Sequence, residues 1–294
     1  MKRLLGILCF LVFTPSAFAQ DLKAQFVEVD LGREYGFFSK SPAVLRAVTV
    51  APTKVEPKEA ILFFIGWPGL LWLPENFEPQ KFLSLSKNSK FQMFRDIDFF
   101  ASRDITFVVI DCPNDQWGSS MRSANPTGCG DSYRSSQMHA DDIRRLMAHL
   151  KEKQGIEKFY VMGHSYGTIS SRWLSINLGK EIEGSIHSAS LTHKPAPNNP
   201  QLLDFGSSLQ RIDPTKAASP YIFVHNERDQ CDTTQYNSIK QVAADKLITV
   251  KGGVVEGDPC GGGHLHSYQG KWPVVLDAIY KWLKTREMAT TVGD

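Results

Sequence analysis

Ser165 stands between two glycines in Gly163-His164-Ser165-Tyr166-Gly167, a G-x-S-x-G arrangement. A serine hydroxyl is a poor nucleophile until a base takes its proton and a strained turn exposes it. This spacing supplies the turn, because glycines two residues to either side let the backbone double back from strand to helix. The N–H after the serine, on Tyr166, then faces the place where negative charge develops when a carbonyl is attacked. The helix N-terminus adds partial positive charge there. The chemistry implied is acyl transfer through a covalent serine intermediate.

Such a serine needs an imidazole base and a carboxylate to orient it, in the chain order Ser, acid, His. Asp229 lies four residues past His225, just beyond an apolar stretch, and is favoured as the acid; Asp232 comes second and Glu227 is a further neighbour. Only His264 and His266 follow Asp229. His264 is favoured as the base because Gly261-Gly262-Gly263 frees its loop to reach the serine, and His266 is the competitor. The second oxyanion donor is expected at Trp67, in Gly66-Trp67-Pro68-Gly69. Trp67, Leu70, Leu71 and Trp72 can line an acyl or aromatic pocket. His164 reads as packing support for the turn. The reaction needs no metal or organic cofactor, and the absence of a C-x-x-C pair disfavours zinc.

Stepped elements must hold these groups. Lys158 to Met162 reads as a strand, and Thr168 to Leu178 as a helix stopped by Gly179. Ala60 to Ile65, Thr106 to Ile110 and Tyr221 to His225 are apolar runs of the kind that lie buried on both sheet faces. Phe26 to Leu31 and Val44 to Val50 suggest an edge hairpin, Gly184 to Ser190 a further strand, and Lys246 to Val250 a last one. Pro79 to Ser102 looks helical in pieces. A helix capped by Ser135 or Ser136 and closed by Gly155 carries Ile143, Leu146, Met147 and Leu150, and further helices cover Thr233 to Ala244 and Trp272 to Arg286. Residues from Met288 onward look frayed. Strands alternating with helices imply one mostly parallel sheet. Between Ser190 and Tyr221 there is space only for a small flap, at Pro195 to Pro200.

The chain has 294 residues, 42% of them hydrophobic and 22% charged, enough to bury a large core without staples. Met1 to Ala19 reads as a signal peptide: Lys2 and Arg3, then apolar Leu4 to Phe13, then Ala17-Phe18-Ala19. Residues 20–294 are read as one domain. The apolar run is shorter than a bilayer span. The formal charge of +2 is matched by Lys2 and Arg3, so cleavage leaves zero and no basic run for nucleic acid or anionic membranes. Cys112, Cys129, Cys231 and Cys260 remain, with three possible connectivities. The local pairs, Cys112–Cys129 and Cys231–Cys260, are favoured, and a periplasmic or secreted location follows.

From Ala60 to Lys284, through the Gly-Trp-Pro-Gly turn, the G-H-S-Y-G motif, the Asp229 loop and the Gly-Gly-His264 loop, the chain resembles the α/β-hydrolase superfamily. The resemblance implies about eight mostly parallel strands flanked by helices, and serine-based acyl transfer to water. Ile65-Gly66 stands where many members carry His-Gly. The expected activity is hydrolysis of a small-molecule carboxylic ester. A serine peptidase or amidase on the same triad, and an inactive binding protein, are the alternatives. The oligomeric state is not legible.

Overall fold

The computed structural model describes residues 21–86, 92–117, 128–192 and 207–294. The expected leader and the Pro195–Pro200 flap lie outside the described residues. In chain order the strands and helices are β1 (Leu22–Tyr35), β2 (Ser41–Pro52), β3 (Glu59–Phe64), α1 (Pro79–Ser86), α2 (Gln92–Ala101), β4 (Thr106–Ile110), α3 (Asp131–Arg134), α4 (Gln137–Gln154), β5 (Lys158–His164), α5 (Thr168–Asn177), β6 (Gly184–Ser188), β7 (Tyr221–Asn226), α6 (Tyr236–Ala243), β8 (Leu247–Lys251), α7 (Trp272–Thr285) and β9 (Thr291–Gly293).

The strands form one sheet in the order β1-β2-β4-β3-β5-β6-β7-β8-β9. β1 and β2 are the antiparallel hairpin, and β2 joins β4 antiparallel; every pairing from β4 to β9 is parallel. Nine strands therefore replace the expected eight. The extra one is β9, in the tail expected to fray: Thr291, Val292 and Gly293 align with Thr249, Val250 and Lys251. Three residues with one apolar side chain carry too little pattern to announce a strand.

The apolar runs of β3 are explained by burial on both faces. Ile61 and Phe63 join one core with Phe100, Phe107, Val275 and Ile279, whereas Leu62 and Phe64 join the other with Ile143, Leu146, Leu150 and Leu174. Helices α2 and α7 thus cover one face, and α4 and α5 the other. α4 begins where Ser136 accepts the His139 N–H (3.1 Å) and ends at Gly155 with φ +65°. Among the described residues, no helix is long and apolar enough to cross a membrane. Because β3 to β8 run parallel, the carboxyl ends of β3, β5, β6, β7 and β8 lie on one edge of the sheet, where the loops carrying the candidate residues emerge.

Candidate active site

Ser165 follows β5 directly and has φ +52°, a left-handed conformation that a serine adopts at a cost of about 1–3 kcal/mol. The flanking glycines are steric requirements. A Cβ on Gly163 would lie 2.3 Å from the Gly167 carbonyl oxygen, and one on Gly167 would lie 2.0 Å from that of Phe64. The turn is therefore pressed against the end of β3. The Thr168 hydroxyl donates to the Ser165 carbonyl (2.6 Å), fixing the entry into α5.

The loop after β3 stands beside this turn. A Cβ on Gly66 would meet Ser165 Cβ at 3.4 Å, and the Trp67 ring packs edge-on against Tyr166 with centroids 5.2 Å apart. The loop is held from below by buried Arg134, which donates to the carbonyls of Gly69 (3.2 Å) and Cys129 (3.1 Å) and to the Ser170 hydroxyl (2.9 Å). Its guanidinium lies over the Tyr166 ring, 4.8 Å from the centroid, and the Tyr166 hydroxyl donates to Cys129 O (2.8 Å) and Asp131 Oδ1 (3.0 Å). Asp111, at the end of β4, accepts from the N–H groups of Leu71, Leu73 and Cys112 at 2.7–2.8 Å. A disulfide joins Cys112 to Cys129, whose N–H donates to Pro68 O. Leu71 is half-buried and packs on the core, while Trp72 is exposed.

On the other side, Asp229 leaves the end of β7 with its carboxylate fully buried. Its Oδ2 accepts from His266 Nδ1 (2.9 Å) and from the Thr234 hydroxyl (2.9 Å), with His225 Nε2 at 3.3 Å; Oδ1 accepts from Cys231 N–H (3.0 Å). Burial pushes this carboxyl up, but the hydrogen bonds from His225 and His266 and the charges of both rings outweigh it and hold it well below the usual carboxylate range. Cys231 is bonded to Cys260, so one disulfide ties the acid's loop to the Gly-rich loop.

The structure sets His266, not His264, against Asp229, and the expected Asp229–His264 pair is corrected accordingly. Residues Leu265–Ser267 form a short 3₁₀ turn that brings residue 266 to Asp229. His264 precedes that turn, buried, and among the described residues its Nδ1 has no hydrogen-bond partner. The turn is moored by Tyr268, whose buried hydroxyl donates to Val224 O (2.8 Å), accepts from Ala189 N–H (3.0 Å) and meets the Ser188 hydroxyl (2.9 Å). Arg95 reinforces it through Ser267 O (3.1 Å) and Gln269 Oε1 (2.7 Å).

The His266 ring packs 5.0 Å from that of His164, the residue preceding Ser165. His164 Nδ1 pairs with the Ser188 hydroxyl (3.0 Å). Burial, and next the neighbouring His266, push His164 far below the ordinary histidine range, so it is a neutral packing partner. Asp232 and Glu227 are not among the partners of His266; with Asp229 they line an open recess of about 340 Å³. No group of His, Cys, Asp and Glu among the described residues could hold a metal ion.

No protein-family model and no curated protein matches the sequence. Solved structures do match its shape. Est1E from Butyrivibrio proteoclasticus superposes with a TM-score of 0.53 at 13% identity, over 82% of this chain and 93% of that one. An esterase of Pyrococcus furiosus gives 0.50 at 12%, over 98% and 99%. An acylaminoacyl peptidase of Pyrococcus horikoshii gives 0.56 at 11%, over 91% of this chain but only 43% of that one.

The chain has the α/β-hydrolase fold.

Within that fold, several residues around the site escape a reading of the sequence. Tyr268, Arg134 and Asp111 reach the site through partners distant in the chain, whereas His225 and Thr234 meet Asp229 from four and five residues away. The one available cue was the unusual polarity of His225 at the end of a strand otherwise fit for a core.

Proposed function

We propose that this protein is a serine hydrolase of carboxylic esters, with Ser165 as nucleophile, His266 as base and Asp229 as the orienting acid. The observation that carries the reading is the 2.9 Å contact of His266 Nδ1 with Asp229, on a ring packed against the residue before a strained serine. With its Nδ1–H given to Asp229, His266 keeps Nε2 unprotonated and able to accept the Ser165 proton as Oγ attacks the carbonyl. The Tyr166 and Trp67 amides receive the oxyanion. His266 returns the proton to the departing alcohol, and water then repeats the sequence on the acyl-enzyme. Asp229, held low, stays ionised and stabilises the imidazolium. Two disulfides fit an extracytoplasmic protein.

Trp67, 43% exposed beside the serine's turn, offers a flat apolar face to an acyl group. Est1E has been solved with ferulic acid bound, so an aromatic acyl ester belongs in the assay beside alkanoates. The test is a panel of nitrophenyl alkanoates and a feruloyl ester, run with wild type and Ser165→Ala. Turnover that falls roughly 10³-fold or more in the variant supports the mechanism; retained turnover overturns it. The peptidase reading is favoured by the acylaminoacyl peptidase likeness, and acylaminoacyl anilides in the same panel decide it. A fluorophosphonate that fails to label Ser165 would point to an inactive binding protein.

A further inference from the structure

Two turns down α5 from the serine, Arg172 is a cation that the proposed chemistry does not use. It is only 5% exposed. Among the described residues its one hydrogen bond is long, from NH1 to Leu191 O at 3.4 Å, and no carboxylate pairs with it. The guanidinium lies over the Phe223 ring, 5.5 Å from the centroid, so one side of its charge meets an aromatic face. Burial draws Arg172 down to about 10, which still leaves it protonated at neutral pH. A permanent cation buried without a counter-charge is costly, because the interior returns little of the hydration that was lost.

The side chain lines a small cavity together with Ser175, His187, Ile212, Tyr221 and Phe223. Its volume, about 10 Å³, suits one water-sized occupant. Of the polar neighbours, the Ser175 hydroxyl donates to the Arg172 carbonyl (2.7 Å), and His187 Nδ1 pairs with the Ser171 hydroxyl (2.9 Å). Burial, and next the charge of Arg172, push His187 far below its ordinary range, so it is a neutral ring and adds no second cation. Among the described residues the lining thus holds a guanidinium with N–H donors beyond its bond to Leu191, a hydroxyl and an imidazole already paired elsewhere, and no acidic side chain.

We propose that this cavity is a binding site for one small monovalent anion of the halide class, which serves as a counter-ion of Arg172 and stabilises the packing of α5 on β6 and β7.

A ligand that binds the folded state alone raises the melting temperature saturably. The purified protein is therefore melted in increasing sodium chloride against sodium gluconate at equal ionic strength, beside Arg172→Met, which keeps an apolar stem on Phe223 but no charge. The expected result is a saturating rise of several degrees specific to chloride in wild type and absent in the variant. An equal response to both salts in wild type, or the same chloride effect in Arg172→Met, overturns the site. A second measurement needs no variant: wild-type crystals grown in sodium bromide should show an anomalous peak within hydrogen-bonding reach of the guanidinium. Bromide found elsewhere only, with water in this cavity, overturns it equally.

Discussion

His266 and His264 are two residues apart in one glycine-rich loop, and the sequence supports either as the base. Their difference is tertiary. A 3₁₀ turn and the buried Tyr268 hydroxyl set residue 266 on Asp229, and no local pattern around Gly261-Gly262-Gly263 announces that mooring. The sharp turn at Ser165 and the position of Asp229 past a strand were legible from local context: a motif between a strand and a helix, and an acid just past an apolar run. His266→Ala should therefore lower ester turnover by roughly 10³-fold or more, and His264→Ala by under about tenfold, in steady-state assays of folded protein. The opposite ranking would return the base to His264. Asp229 also carries a pH signature. Its folded carboxyl titrates below its unfolded value, so its contribution to stability is present above the ordinary carboxylate range and is lost as pH falls, from about pH 5 downward. Melting temperatures of Asp229→Asn should thus fall less steeply than wild type over that acid limb. Parallel limbs would mean that Asp229 is not held low.

At the scale of elements, the buried strands were readable from uninterrupted apolar runs, and α4 from its cap, its stripe and its closing glycine. What escaped was the scaffolding of the loop after β3, because Arg134 reaches it from α3, 65 residues on in the chain. A guanidinium that bonds Gly69 O and Ser170 while stacking on Tyr166 links the loop of one proposed oxyanion amide to the residue of the other. A small displacement of such a group costs rate more than binding. Arg134→Met should lower kcat by roughly tenfold to a hundredfold with KM nearly unchanged, and should weaken a boronic acid inhibitor in proportion. A fall in melting temperature with kcat intact would leave Arg134 a packing residue only. The buried cation has no replacement in this environment, so some loss of stability accompanies either outcome.

Across the whole molecule, strand order is the least legible property. Nothing in β4 states that it lies between β2 and β3, since pairing depends on which faces the helices cover. The disulfides are different, because proximity in the chain favoured the pairs that occur. Cys231–Cys260 closes a loop spanning 29 residues and, on the chain-entropy view, contributes about 3–4 kcal/mol. Its second effect follows from the hydrogen bond that Cys231 N–H gives to Asp229 Oδ1. The bond joins the Asp229 loop to the Gly-rich loop before His266, so oxidation should couple to the geometry of the proposed site. In a Cys231→Ala/Cys260→Ala variant assayed well below its melting temperature, turnover should fall; unchanged turnover with reduced thermal stability alone would show the bridge to be only a staple. Carried one step further, the proposed site should be latent for as long as Cys231 and Cys260 are reduced. Chain made and folded in a reducing compartment should be nearly silent towards esters, and should gain activity on exposure to a disulfide-exchange couple in step with formation of Cys231–Cys260, followed by peptide mapping apart from that of Cys112–Cys129. An active fully reduced protein would remove the latency.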